Sequence, residues 1–296
     1  MPYVTTRDGQ QLHVRVLGRG RPVLLLHGLG ASSLQWLPFV LPLLGRARFY
    51  MPDLRGAGRS AGVNLNQDDM FQNHAEDLED IVRHFGLRDF LVAGHSMGAT
   101  TVLHWLHGGG GAGMRGYLHI DQSPSVSNRE DWRHGLFGPD QDSYFDIMRT
   151  LAEALRPYRG HPRLDTLPQA TRRHALELLA IAQDRQGSAL PGRFIRAAAR
   201  WPALVRLLPL NRPSEIYRVV TTYLDTRDYR DSLRRCAAPV TVMVGMKSVL
   251  YHPAGQMAIA DYAPQCRIVP FEKAGHLLPL DQPLAFFREF RRFVTQ

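Results

Sequence analysis

Six short apolar runs, each about the length of a β-strand, recur along the chain at 22–26, 49–51, 90–93, 118–120, 240–244 and 268–271. Apolar at successive positions rather than alternate ones, they predict strands covered on both faces, as in a parallel sheet between two helical layers. Helix-period patterns lie between them at 34–44, 68–85, 97–107, 253–262 and 283–293. Strand and helix in alternation call for right-handed crossovers and a doubly wound α/β fold. No run approaches the roughly 20 apolar residues that span a bilayer, so no membrane span is expected.

The N-terminus reads differently. Asp8-Gly9 sits where a tight hairpin turn needs positive φ, and Leu12, Val14 and Val16 alternate behind it, which predicts an antiparallel hairpin. With the six runs this makes a mostly parallel, eight-stranded sheet. The alternation fails from 123 to 235, where helical stretches at 143–155, 169–183 and 214–224 are punctuated by seven prolines from Pro157 to Pro213. This segment is expected to be a helical cap, or lid, inserted after the sixth strand. Residues 1–122 and 236–296 would form the core domain.

Composition narrows the classes. Two cysteines, Cys236 and Cys266, are too few for a disulfide framework or a zinc cluster. No signal-peptide pattern opens the chain, so cytoplasmic residence is the expectation. The net charge of +9 comes almost wholly from arginine, spread from Arg7 to Arg292 without a dense block or a nucleic-acid-binding motif, so no nucleic-acid partner is expected. One local cluster, Arg185, Arg193, Arg196, Arg200 and Arg206, would favour an anionic substrate or an acidic carrier protein. The run Gly108 to Gly111 lacks a following Gly-Lys-Ser/Thr and reads as a surface turn.

The chemistry concentrates at Gly94-His95-Ser96-Met97-Gly98, between an apolar strand and an apolar helix. A serine in that setting sits on a sharp, strained turn, and only glycine tolerates the crowding two residues to either side. Leu26-His27-Gly28-Leu29-Gly30, Asp53-Leu54-Arg55-Gly56-Ala57-Gly58-Arg59-Ser60 and Gly275-His276 with Asp281 and Pro283 follow in an order that resembles the α/β-hydrolase superfamily over nearly the whole chain. The resemblance implies Ser96 as nucleophile and His276 as its general base. It also implies the N–H groups of Leu29 and Met97 as donors to the oxyanion of a tetrahedral intermediate. His27, His95 and the pair His104/His107 are read as structural or pocket-lining residues; His104 and His107 lack a third ligand for a metal.

One position departs from the family pattern. Where an aspartate is usual after the seventh strand, Gly245-Met246-Lys247-Ser248 places a serine, which cannot supply a negative charge. Asp121 directly follows the sixth strand, and neighbouring parallel strands lie about 5 Å apart, so it is the candidate acid. Asp53 is assigned instead to its own loop, bonding the turn from Arg55 to Gly58, and Asp281 to the support of the histidine loop.

The resulting expectation is a serine hydrolase without cofactor or metal. It would cleave an ester, lactone or thioester of a mainly apolar small molecule. Leu176, Leu178, Leu179, Ile181, Phe194, Trp201, Leu204 and Tyr217 in the cap suggest that apolar pocket. Carbon–carbon bond hydrolysis, a lyase or a peroxidase-like activity on the same scaffold is the alternative, as is a non-catalytic receptor.

Overall fold

The computed structural model describes residues 2–186, 189–225 and 227–296. Eight strands form one sheet in the order β1-β2-β4-β3-β5-β6-β7-β8. β1 (Tyr3–Thr5) and β2 (Gln11–Gly18) are the predicted hairpin, and β2 runs antiparallel to β4 (Ala47–Pro52). From there β3 (Arg21–Leu26), β5 (Phe90–His95), β6 (Met114–Ile120), β7 (Val240–Gly245) and β8 (Cys266–Phe271) are all parallel.

Because side chains alternate along a strand, each central strand feeds two cores. Leu24, Leu26, Phe90, Val92 and Tyr117 face one layer, with α2 (Met70–Phe85) and α3 (Met97–His107). Val23, Leu25, Leu91, Ala93, Leu118 and Met243 face the other, with α1 (Leu37–Val40) and α11 (Pro283–Val294). In that second core the helical Phe286 and Phe290 pack on Phe39 and Trp36, at ring distances of 4.7 and 5.9 Å.

Between β6 and β7 lie α4 (Gln141–Leu155), α5 (Gln169–Asp184), α6 (Ala189–Arg200), α7 (Pro213–Leu224) and the short α8 (Arg230–Arg234). Their apolar sides join the first core rather than forming one of their own: Leu151, Leu155, Leu176 and Val219 belong to the same cluster as Leu24 and Val92. Neither α6 nor the short α8 is announced by the sequence pattern; in α6, Pro191 and Gly192 stand in the first turn.

Two predicted helices are corrected. The stretch 34–44 is not one helix but two 3-10 turns on either side of the four-residue α1. Pro38 and Pro42 lack the N–H that a continuing helix needs, and their rings crowd the preceding turn. The stretch 253–262 is α9 (Pro253–Met257) followed by a 3-10 turn. α10 (Leu278–Asp281) precedes α11.

Candidate active site

The strand-to-helix turn at Ser96 is tight in the way the glycines demand. Ser96 has φ 53° and ψ −121°, a conformation side-chain-bearing residues rarely adopt. A Cβ at Gly94 would lie 2.6 Å from the carbonyl of Gly98, and one at Gly98 would lie 2.5 Å from the carbonyl oxygen of Leu26. β5 can therefore turn into α3 against β3 only without those carbons. The turn is pinned by the Ser96 amide, which donates to the Ile120 carbonyl on β6 at 3.0 Å.

Asp121 follows that carbonyl and is wholly buried. Its φ is 45°, and its own amide donates to Met243 on β7 at 3.0 Å. The carboxylate receives four hydrogen bonds. Gly245 N and Gln256 Nε2 donate to Oδ1 at 2.9 and 3.0 Å, while Ser248 Oγ and His276 Nδ1 donate to Oδ2 at 2.7 and 2.6 Å. A carboxylate at Nδ1 fixes the tautomer with its proton there, which leaves the Nε2 lone pair facing Ser96 Oγ at 2.9 Å. Ser96, His276 and Asp121 thus form one hydrogen-bonded chain across the ends of β5, β6 and β8.

The loop carrying His276 is held from two sides. Asp281 Oδ2 accepts from the Gly275 amide at 2.8 Å, and His95 Nε2 donates to the His276 carbonyl at 3.0 Å. Burial, with the neighbouring His276 ring adding to it, lowers the His95 pKa to about 4 and keeps the ring neutral. Among the described residues neither the Leu29 nor the Met97 amide donates to another backbone carbonyl. His27 ties the loop after β3 to the loop after β4: its Nε2 accepts from Leu54 N at 3.0 Å, and its Nδ1 donates to Gly28 O at 2.8 Å.

Asp53 lies outside this chain. Its carboxylate accepts from Ser33 N at 2.7 Å, from Arg59 N at 3.0 Å and from His13 Nδ1 at 2.8 Å. It therefore links its own loop to the loop after β3 and to β2, a wider role than closing the turn after Arg55. His104 bonds Tyr229 and Gln72, and no group of three or more metal-ligating side chains occurs among the described residues.

Ser96, His95 and His276 open onto a cavity of about 400 Å³ whose walls include Leu136, Tyr144, Met148, Leu179, Ile195 and Tyr223. The apolar lining is therefore drawn from α4, α5, α6 and α7, but the cap residues singled out from sequence are largely elsewhere. Of those eight, Leu179 lines the cavity. Leu176 is buried in the core, while Ile181, Phe194 and Trp201 are exposed, because helical spacing does not say which face a neighbouring helix covers. Ser248 and Gln256 are the site residues that the sequence reading did not assign. The signal for Ser248 was its place where relatives carry the acid; for Gln256 none is visible.

Residues 23–290 match the model of the family described as "Alpha/beta hydrolase family". A non-heme haloperoxidase of Rhodococcus erythropolis is 39% identical over 113 residues, 37% of this chain and 40% of that protein. The stretches matched in the first curated relatives span 40% and 53% of those proteins' lengths. In three dimensions the chain resembles an esterase from Exiguobacterium antarcticum (TM-score 0.73, 18% identity, 99% of both chains). It also resembles an enol-lactonase from Burkholderia xenovorans (TM-score 0.70, 18% identity, 100% of both chains). At that identity the two structural likenesses concern the fold. The match across residues 23–290, on an eight-stranded sheet of this order, means that the chain belongs to the alpha/beta hydrolase family.

Proposed function

We propose that this hydrolase is a serine hydrolase that cleaves an ester, lactone or thioester of a mainly apolar small molecule through an acyl-enzyme on Ser96. The observation that carries the reading is the imidazole of His276 bridging Ser96 Oγ at 2.9 Å and Asp121 Oδ2 at 2.6 Å. His276 Nε2 takes the serine proton as Oγ attacks the carbonyl, and returns it to the leaving group. It then activates water against the acyl-enzyme, while Asp121 orients the ring and stabilises its charged form. The Leu29 and Met97 amides, unused by other carbonyls, would receive the oxyanion. Residues 123–235 act as the cap, residues 1–122 and 236–296 as the core, and the Leu, Ile, Met and Tyr walls of the cavity favour an apolar acyl or alcohol part.

A fluorophosphonate probe tests the reading directly. Labelling of the full chain that is lost in Ser96→Ala, with turnover of a graded panel of p-nitrophenyl esters, lactones and thioesters lost in parallel, is the expected result. Labelling that persists in Ser96→Ala would remove Ser96 from the mechanism. The match to a haloperoxidase motivates a second reading, a peroxidase-like activity at the same serine, which a halogenation assay with peroxide on the same preparations addresses.

A further inference from the structure

The arginines of the insert are unequally occupied. Arg196 pairs with Glu177 at 3.0 Å and Asp184 at 2.7 Å, Arg206 pairs with Asp165 at 3.0 Å, and Arg185 donates to Ser143 Oγ at 2.7 Å. Arg193 and Arg200, both on α6 and both exposed, have no ion pair among the described residues. The same helix has two apolar sides. One is turned inward, where Ile195 lines the catalytic cavity and Ala198 is fully buried. The other faces water: Leu190 is 72%, Phe194 40% and Trp201 67% exposed. Trp201 closes the helix, its amide donating to Ala197 O at 2.9 Å before the backbone turns extended.

At 3.6 residues per turn, positions 190, 194 and 201 fall within about 40° of one line along the helix. Arg193 and Arg200 form a parallel line roughly 60 to 80° to one side. Leu207, on the 3-10 turn that follows, is also 67% exposed. A row of large apolar side chains beside a row of unpaired guanidinium groups matches the chemistry of an anionic lipid surface. Leu, Phe and Trp enter the boundary between headgroups and acyl chains, and arginine stems lie along the apolar surface with their charged ends at phosphate. The net charge of +9 adds a long-range attraction of the same sign.

We propose that the outer face of α6 docks this protein on an anionic lipid bilayer. A helix lying flat on the surface exposes its whole ridge to the membrane at once, which a protein partner could match only with an apolar groove edged by carboxylates. Docking would also bring the wall of the cavity, through Ile195 roughly 100 to 140° around α6 from that ridge, toward the layer in which apolar molecules concentrate. Docking through α6 does not depend on the chemistry at Ser96.

The tryptophans provide the test. Trp36, Trp105 and Trp132 are at most 4% exposed, so among the described residues Trp201 is the indole whose emission can respond to a surface. The full chain is mixed with phosphatidylcholine vesicles, with and without phosphatidylserine, at low and physiological salt. Expected are co-flotation with the phosphatidylserine vesicles, a blue shift of emission, and weakening as salt rises. Arg193→Glu with Arg200→Glu should weaken partitioning by at least about tenfold. Leu190→Ser with Phe194→Ser should weaken it comparably; the arginine pair should leave the unfolding midpoint unchanged, while the second pair lowers it modestly, since Phe194 is still more than half covered. No flotation at low salt would overturn the proposal, as would equal binding to pure phosphatidylcholine or indifference to both double substitutions. Binding to polyglutamate without binding to vesicles would assign the face to an acidic protein and overturn it too.

Discussion

A fully buried carboxylate is costly unless hydrogen bonds replace its water, and Asp121 meets that condition with four donors from three segments of chain. Ser248 and His276 share Oδ2, so the serine hydroxyl both holds the oxygen in place and takes up part of its charge. Asp121→Asn should keep the fold and lower kcat by about 10⁴-fold, the loss seen for the comparable change in a serine-protease triad. Ser248→Ala should be far milder, about tenfold or less in kcat with KM little changed, because two donors remain on Oδ1. Ester turnover measures both. An aspartate at 248 extends one atom beyond the present hydroxyl, toward the imidazole nitrogen that Asp121 now serves. Ser248→Asp placed on Asp121→Asn should therefore recover part of the lost rate. A double variant no faster than Asp121→Asn would show that the strand end after β7 cannot reach the imidazole.

At the scale of elements, backbone crowding does most of the positioning. β5, the turn at Ser96 and α3 approach β3 so closely that a methyl group at Gly98 would meet the Leu26 carbonyl, just before the His27–Gly28 loop. Gly98→Ala should lower stability by roughly 2 kcal/mol, in the range of overpacking. It should reduce turnover more than the stability loss alone would, because relief of the clash moves the loop that carries Leu29; a thermal melt beside an ester assay separates the two. These same elements were the most legible in the sequence. Continuous apolar runs and the glycines around Ser96 are local properties, readable one segment at a time. The period at 34–44 misled, because Pro38 and Pro42 break the helix that the apolar spacing suggests. The cavity walls and the bonds from Ser248 and Gln256 to Asp121 were not legible in that way. They depend on side chains 127 and 135 residues apart meeting across strand ends, and no local spacing encodes that meeting.

The whole molecule carries an acid liability. His74, His95 and His119 are all held neutral by burial, at pKa values lowered to about 3, about 4 and about 4 from 6.5, with the His276 ring adding to the effect on His95. Among the described residues neither ring nitrogen of His74 has a hydrogen-bond partner, so a proton taken up there would be unpaired. The sign follows from linkage: a folded-state pKa below the unfolded value leaves stability intact above about pH 6.5 and removes it as pH falls toward the folded value. Below 6.5 the unfolded chain binds a proton at each of these rings that the folded chain refuses, and burial lowers His13, His27 and His104 in the same direction; Asp77, raised by burial to about 6, works the opposite way, since the folded chain holds a proton there that the unfolded chain has lost. Each refused proton contributes a slope of about 1.4 kcal/mol per pH unit, and the several imidazoles outweigh the single proton that Asp77 retains. For a domain of ordinary stability, about 5–15 kcal/mol, a few such protons are enough to make acid unfolding set in on the imidazoles. Asp8, held below the usual carboxylate range by its bonds to Arg55, loses its contribution only at still lower pH. Urea unfolding at pH 7, 6 and 5 should show the midpoint falling steeply between the last two. His74→Phe, which removes one refused proton, should flatten that fall by about 1.4 kcal/mol per pH unit. A midpoint unchanged from pH 7 to pH 5 would mean that the buried imidazoles accept protons in the folded chain, and that the polar interior of α2 and β6 relaxes far more than its burial implies.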